Sequence, residues 1–225
     1  EGVDVSHLRQ TAEARTGLVF ISIDERGERS FTYFRTRSAE FLLSERDVDP
    51  AFLERARVVH FGTITTMGES PLKAGIVWVG TDDGNVQVTR DGGKTWKNVV
   101  ANIRGVPKNA WVSYIDAGRF AEGTAFVAFD AHTFGDMKPY VYKTEDFGKT
   151  WTALVPAGSP VRGYAHVVRQ DLVNNDLLFV GTEFGLWVSL DGGQRWAQYK
   201  GNDLPSVAVR DIVIHPRDHD LVLGT

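Results

Sequence analysis

The sequence predicts a mainly β protein: about three and a half four-stranded antiparallel units in a row, preceded by a small α+β segment of hairpin, helix and strand. Three observations carry this. The pattern Ser/Thr-x-Asp-x-Gly-x-x-Trp occurs three times, over Thr89–Trp96, Thr144–Trp151 and Ser189–Trp196. Each copy follows a strand-like apolar stretch. A Gly-Thr pair closing a strand recurs independently, with 101 residues from Thr81 to Thr182 and 43 from Thr182 to Thr225. A fixed period of this kind marks a repeat architecture before any single residue does.

Composition narrows the function classes. The 225 residues carry a formal net charge of -4 and no basic stripe, which argues against nucleic acid as partner. There is no cysteine, so disulfides, cysteine-zinc sites and thiol catalysis are excluded. No apolar run is long enough to span a bilayer. The chain opens at Glu1 with neither Met nor a signal-like stretch, and so reads as a processed chain or a fragment.

Residues 1–72 hold nine Arg and no Lys, whereas every Lys lies from Lys73 onward. This first part has no copy of the repeat. Residues 16–24 form a strand of mixed burial, residues 25–28 a turn, and Arg29–Phe34 an alternating strand, which together make a hairpin. Asp49-Pro50 is a helix start, with Asp as N-cap and Pro in the first helical position, leading a short helix over residues 51–57. Residues 58–62 read as a buried strand.

The strings Gly2-Val-Asp-Val, Ala14-Arg-Thr-Gly-Leu-Val-Phe, Gly27-Glu-Arg-Ser-Phe-Thr-Tyr-Phe-Arg35, Ser38-Ala39 and Ala56-Arg-Val-Val-His-Phe-Gly62 resemble sugar kinases of the ribokinase/fructokinase family. The resemblance covers residues 1–62 and implies a small β lid that closes over a sugar. It makes Tyr33 and Arg35 substrate-binding candidates, although from the residues alone they are a strand aromatic and a solvated Arg. The family's Gly-Gly substrate motif is absent, and so is the Gly-Ala-Gly-Asp string that supplies its anion hole and catalytic Asp. Phosphoryl transfer rests on such positioning and charge stabilisation, so this segment is expected to be inactive as a fructose or 2-keto-3-deoxygluconate kinase.

From residue 63 the character changes, giving a boundary between a 1–62 segment and a 63–225 repeat array. Residues 63–66 read as a strand and residues 68–75 as a loop. Residues 76–80 are a continuous apolar strand, and residues 85–89 alternate into the first repeat turn. The second unit offers strands over 111–115, 124–129 and 139–143, and the third over 163–168, 177–182 and 186–190. Each turn is followed by a strand opening near its Trp. A fourth unit begins with residues 207–214 and 220–225. In the turn itself, Gly supplies positive φ, and the Asp carboxylate accepts amides one or two residues on. The preceding Ser or Thr ties its hydroxyl to the same turn, and the Trp packs. Four strands in about 45–50 residues match a propeller blade.

The three turns resemble the Asp-box, or BNR repeat, of sialidases, sortilin-type receptors and related β-propellers. That resemblance implies a structural role for Thr89, Asp91, Gly93, Trp96, Thr144, Asp146, Gly148, Trp151, Ser189, Asp191, Gly193 and Trp196. It implies no particular activity. Closed propellers have about 4–8 blades, so an unfinished array exposes blade edges through which copies can associate.

A glycosidase needs two carboxylates across the scissile bond, and Asp82, Asp83, Asp130 and Glu183 follow second strands where such groups would face the channel. The competing reading makes them turn residues; Asp83-Gly84 is a strong hairpin signal. A sialidase-like site also needs three Arg, and no spacing selects three from Arg90, Arg104, Arg119, Arg162 and Arg210. His215-Pro-Arg-Asp-His-Asp220 has the composition of a metal cluster but the position of an interstrand turn, so no metal and no cofactor are expected. Asp130, His132 and Asp136 share a loop. The resulting expectation is a non-catalytic blade array that binds a protein or glycan, fused to a sugar-kinase fragment. A sialidase-like or xyloglucanase-like glycoside hydrolase is the first alternative. The compartment stays open, because such kinases are cytoplasmic and many such propellers are exported by bacteria.

Overall fold

The stretch Ala125–Asp130 shows how the units must pack. Successive strand side chains face opposite ways, so Val127 and Phe129 share one face and Phe126 and Ala128 the other. All four are fully buried. Such a strand needs a sheet on each side, and a row of stacked sheets follows. The fold was obtained as a computed structural model, which describes residues 10–16, 18–23, 29–34, 39–42, 46, 49, 51, 66–201 and 207–225. The chain divides into two compact units, residues 1–60 and 61–225.

In the first unit, β1 (Leu18–Ile23) and β2 (Arg29–Phe34) pair antiparallel from Leu18 opposite Phe34 to Ile23 opposite Arg29, the expected hairpin. The Ala51 N–H donates to Asp49 Oδ1 at 3.0 Å, the bond an N-cap makes. The rest of the predicted helix, residues 52–57, and the strand over residues 58–62 lie outside the described residues.

The second unit holds three four-stranded antiparallel sheets and a hairpin, each in simple up-and-down order. The first blade is β3 (Thr66–Glu69), β4 (Val77–Gly80), β5 (Val86–Thr89) and β6 (Lys97–Asn98). The second is β7 (Trp111–Ala117), β8 (Ala125–Asp130), β9 (Tyr140–Thr144) and β10 (Thr152–Ala153). The third is β11 (Ala165–Gln170), β12 (Leu178–Thr182), β13 (Gly185–Ser189) and β14 (Ala197–Gln198). The final hairpin is β15 (Asp211–Ile214) with β16 (Leu221–Gly224). This is a partial propeller of about three and a half blades.

Two apolar interfaces join the full blades. Ile76, Trp78, Val86 and Val88 of the first meet Val112, Ile115, Val127 and Phe129 of the second. Phe126, Ala128 and Val141 of the second meet Val168, Leu178, Val180 and Trp187 of the third. Val167 and Leu186 on the far side of the third blade bury Val209 and Ile212 of the hairpin.

First strands lie side by side along the inner edge. The Ile115 N–H donates to Thr66 Oγ1 at 3.3 Å, Ser113 Oγ to the Ala165 carbonyl at 2.9 Å, and Arg169 Nε to the Ile212 carbonyl at 2.8 Å. A buried carboxylate, Asp116, accepts from Arg169 at 2.8 Å and from the Gln170 N–H at 3.0 Å. Burial pushes its carboxyl up, and the Arg169 charge works against that rise. A charge this deep persists because it is paired and hydrogen-bonded.

Local differences from the sequence reading have physical causes. Gly68 and Glu69 belong to β3 rather than to a loop. A Cβ at Gly68 would sit 3.2 Å from the Ala117 nitrogen and the Ile115 carbonyl oxygen, so its glycine marks a close approach between blades, not a turn. The fourth strands pair over only two residues, because the repeat turn occupies the chain as far as Trp96, Trp151 and Trp196. Residues 63–65 lie outside the described residues.

Candidate functional site

The three repeat turns join third strands to fourth strands, at the outer part of each blade. Their geometry is the same in every copy. Thr89, Thr144 and Ser189 each donate the hydroxyl to the following Asp Oδ1, at 2.8, 3.0 and 2.9 Å. The same hydroxyls accept the N–H of Gly93, Gly148 and Gly193, each at 2.9 Å. The carboxylates of Asp91, Asp146 and Asp191 then accept the N–H of Thr95, Thr150 and Arg195, at 2.9, 2.9 and 2.8 Å. The amide captured lies four residues on, rather than one or two. Two successive left-handed residues bring it back: Gly92 and Gly93, Phe147 and Gly148, Gly192 and Gly193.

The side chain of residue 95, 150 or 195 holds the second carboxylate oxygen, through Thr95 Oγ1 at 2.6 Å, Thr150 Oγ1 at 2.7 Å and Arg195 Nε at 2.7 Å. The Thr95 bonds pull the Asp91 carboxyl down to about 2, and the Arg195 bonds do the same for Asp191. Both groups have folded values below the ordinary 3.8. Their stabilisation is therefore complete above that value and is lost as pH falls through about 2. Acid unfolding followed by tryptophan fluorescence should show this loss, and the Asp91→Asn and Asp191→Asn variants should unfold with a shallower pH dependence across the same window. An unchanged acid limb in both would mean that these bonds do not couple to folding.

Strand register places the four candidate carboxylates at the opposite end of the blades. Val77, which opens β4, pairs with Thr89, where a repeat turn begins; Gly80, which closes β4, leads to Asp82 and Asp83. Asp83 accepts from Thr81 Oγ1, and from Asn85 Nδ2 at 2.8 Å, so it serves the β4–β5 hairpin turn.

Asp130 and Glu183 belong to a different arrangement. Trp111 opens β7 opposite Asp130, which closes β8. The Asp130 carboxylate accepts the His132 N–H at 2.8 Å and lies 2.6 Å from His132 Nδ1. The His132 ring stacks on Tyr164 at 4.6 Å between centroids and meets Trp111 edge-on at 6.3 Å. The Tyr164 hydroxyl donates to Glu183 Oε2 at 2.9 Å, and His166 Nε2 lies 3.1 Å from the same oxygen. The structure thus brings two of the four carboxylates into one ladder: Asp130, His132, Tyr164, Glu183, flanked by Trp111 and His166. Asp136 turns away, accepting from the Tyr140 hydroxyl at 2.7 Å and the Lys138 N–H at 3.1 Å.

The electrostatics of the ladder follow from these contacts. For Glu183, partial burial raises its carboxyl, but the bonds from Tyr164 and His166, with the charges of His166 and Arg210, outweigh that and hold it below its usual range. Burial first, and then the bond to Glu183, push the Tyr164 phenol up to about 12. Glu183 is therefore a standing acceptor and Tyr164 a neutral donor at neutral pH. Trp111 and Phe184 stand at the edge, 42% and 52% exposed.

Trp111, Tyr164, His166 and Phe184 were not singled out from sequence. The available signal was an aromatic at the start of two successive inner strands, Trp111 and Tyr164. Of the kinase-lid candidates, Tyr33 sits in β2 opposite Val19, and Arg35 lies outside the described residues. The His215–Asp220 stretch is the turn between β15 and β16, where the Asp218 N–H donates to His215 Nδ1 at 3.2 Å and Arg217 pairs with Asp218 at 2.8 Å. Among the described residues, no group of three or more His, Asp or Glu is placed to hold a metal ion, and no helix is long and apolar enough to cross a membrane.

Comparison with known proteins divides the chain in the same way. Residues 1–78 match the model of pfkB family carbohydrate kinases, and residues 87–98 match the BNR/Asp-box repeat. The chain joins a carbohydrate-kinase-like segment to Asp-box propeller blades. Fructokinase-2 of Zea mays is 43% identical over 56 residues, which are 25% of this chain and 17% of that enzyme, so the chain spans about a sixth of that relative's length. The Cps50 (Swd1) β-propeller domain of Myceliophteria thermophila superposes with a TM-score of 0.50 at 12% identity, covering 96% of this chain and 63% of that one, a likeness of fold. The GH74 xyloglucanase of Xanthomonas campestris superposes with a TM-score of 0.49 at 15% identity, covering 65% of this chain and 24% of that one.

Proposed function

We propose that the blade array is a non-catalytic binding module, and that its ligand is a glycan held at the rim beside Trp111, Tyr164 and Glu183. The observation that carries this reading is the coupling of exposed aromatic faces to a fixed acceptor. Trp111 and Phe184 offer flat apolar surfaces for the C–H face of a sugar ring, and Glu183 offers a charged acceptor to its hydroxyls. The pocket-lining pattern of carbohydrate sites, apolar planes with a few oriented polar groups, has both parts here.

Hydrolysis is the less favoured reading. A glycosidase needs one carboxyl with a raised pKa to protonate the leaving oxygen. Glu183 is held in the other direction, and Asp130 is engaged twice by His132. On this reading the three Asp-boxes are staples of the outer hairpins. For the 1–62 segment we infer a truncated lid without kinase activity, since the sequence lacks the Gly-Ala-Gly-Asp string.

The test is titration of neutral β-linked gluco-oligosaccharides against the intact chain, read by tryptophan fluorescence and calorimetry, with reducing-sugar release measured in parallel. Binding without hydrolysis is expected. Trp111→Ala and Glu183→Gln should each weaken binding about tenfold, about 1.4 kcal/mol. Hydrolysis abolished by Glu183→Gln would establish the glycosidase instead. Failure to bind any glycan, together with capture of a peptide at the same rim, would replace the ligand class by protein.

A further inference from the structure

We propose that two copies of this chain associate head to tail through their blade faces and close into one ring. The molecule contains its own standard for the contact. The Asp-box tryptophan of each later blade seats on the blade before it. Trp151 meets Trp78 of the first blade edge-on, at 6.1 Å and 80°. Trp196 is 7% exposed and donates Nε1 to the Leu154 carbonyl of the second blade at 2.9 Å.

Trp96 occupies the same position in the first blade, yet it is 44% exposed. Around it the same blade exposes Met67 and Leu72, at 54% and 47%, and leaves Val77 and Val79 half-buried on the face opposite Trp78. Among the described residues of the second unit, no sheet covers this face.

The other end of the array presents the complementary half. In the β15–β16 hairpin, Ile212 and Ile214 point back to the third blade and are buried. Val213 and Val222 are register partners on the outward face and are 47% and 58% exposed. An apolar outward face behind a final hairpin is what the second and third blades present to the box tryptophan that follows them. A second copy that sets its Trp96 face on this hairpin therefore continues the interface already used twice inside the chain. The contact is heterologous, and such contacts close into rings when the rotation allows. Each copy contributes four sheets, so two copies give eight, within the range of about 4–8 at which propellers close.

The test uses the whole chain in sedimentation velocity over a dilution series. A dimer is expected, without larger assemblies. Trp96→Glu and Val222→Glu alter the two ends separately; both sites are exposed, and far-UV circular dichroism should confirm that the fold is kept. Each variant alone should be monomeric, with association weakened at least about tenfold. Mixing them restores one intact head-to-tail contact and should produce a mixed dimer. A wild-type chain that stays monomeric, or a dimer indifferent to both substitutions, would overturn the proposal. So would a dimer that only Trp96→Glu dissolves, which would mean a face-to-face contact, and so would open-ended filaments.

Discussion

Trp78→Ala is expected to destabilise the blade array by about 3–5 kcal/mol, the range for removing a buried Trp from a packed core. Trp78 is completely buried where the first and second blades meet, with the Trp151 ring against its edge. The substitution opens a cavity between two sheets that are otherwise rigid, so little of the volume can be recovered by collapse. Trp78→Phe should behave differently. The indole Nε1 is buried and has no acceptor among the described residues. Burying a donor without a partner costs about 1–3 kcal/mol, which the Phe variant no longer incurs. That gain offsets part of the lost ring contact, and the net cost should stay under about 2 kcal/mol. Urea unfolding of the wild type and both variants measures this directly. Equal losses for Ala and Phe would show that ring volume is not what matters at this site.

The blade order was legible because two signals with different causes agree. The Asp-box marks where a third strand must turn, and its two consecutive left-handed residues explain the Gly pair in Asp91-Gly92-Gly93 and Asp191-Gly192-Gly193. The middle copy keeps the turn with Phe147 at φ 60, and the ring is held under the Arg90 guanidinium 3.9 Å away. A non-glycine residue tolerates that conformation only when its surroundings fix it.

The rim was legible only in part. Asp130 and Glu183 stood out as carboxylates after second strands, but so did Asp82 and Asp83, which fold back on their own turn. Nothing local separates the two pairs. What separates them is the aromatic that opens the first strand of the second or third blade, Trp111 opposite Asp130 and Tyr164 next to Ala165, which pairs with Thr182. Those pairings link residues 19 positions apart in both cases, from Trp111 to Asp130 and from Tyr164 to Glu183, and only the blade register brings them together.

The Gly-Thr period has a cause of its own, and it yields the second large effect. Gly181→Ala is expected to destabilise the chain by about 3 kcal/mol, at the upper end for overpacking. At the end of β12 the Thr182 carbonyl accepts the Val209 N–H at 3.0 Å, so the chain entering the final hairpin crosses directly over Gly181. A Cβ there would lie 2.4 Å from the Val209 carbonyl oxygen and 2.6 Å from Val167 Cγ1. Backbone cannot rotate out of the way as a long side chain can, so the crossing strand must lift. Gly80 occupies the same place in the first blade, with the Val112 N–H donating to the Thr81 carbonyl at 3.1 Å. Its nearest clash is with a side-chain atom, Val112 Cγ1 at 2.3 Å. Gly80→Ala can therefore be accommodated in part by moving a side chain, and should cost less, about 1–2 kcal/mol. Hydrogen exchange distinguishes the two outcomes. Gly181→Ala should lower protection in β15 and β16 while leaving β7 and β8 protected, because the hairpin rests on the third blade alone. Uniform loss across all the sheets would mean that the array opens as one cooperative unit, and the crossing at Gly181 would then be no weaker a seam than the full interfaces between blades.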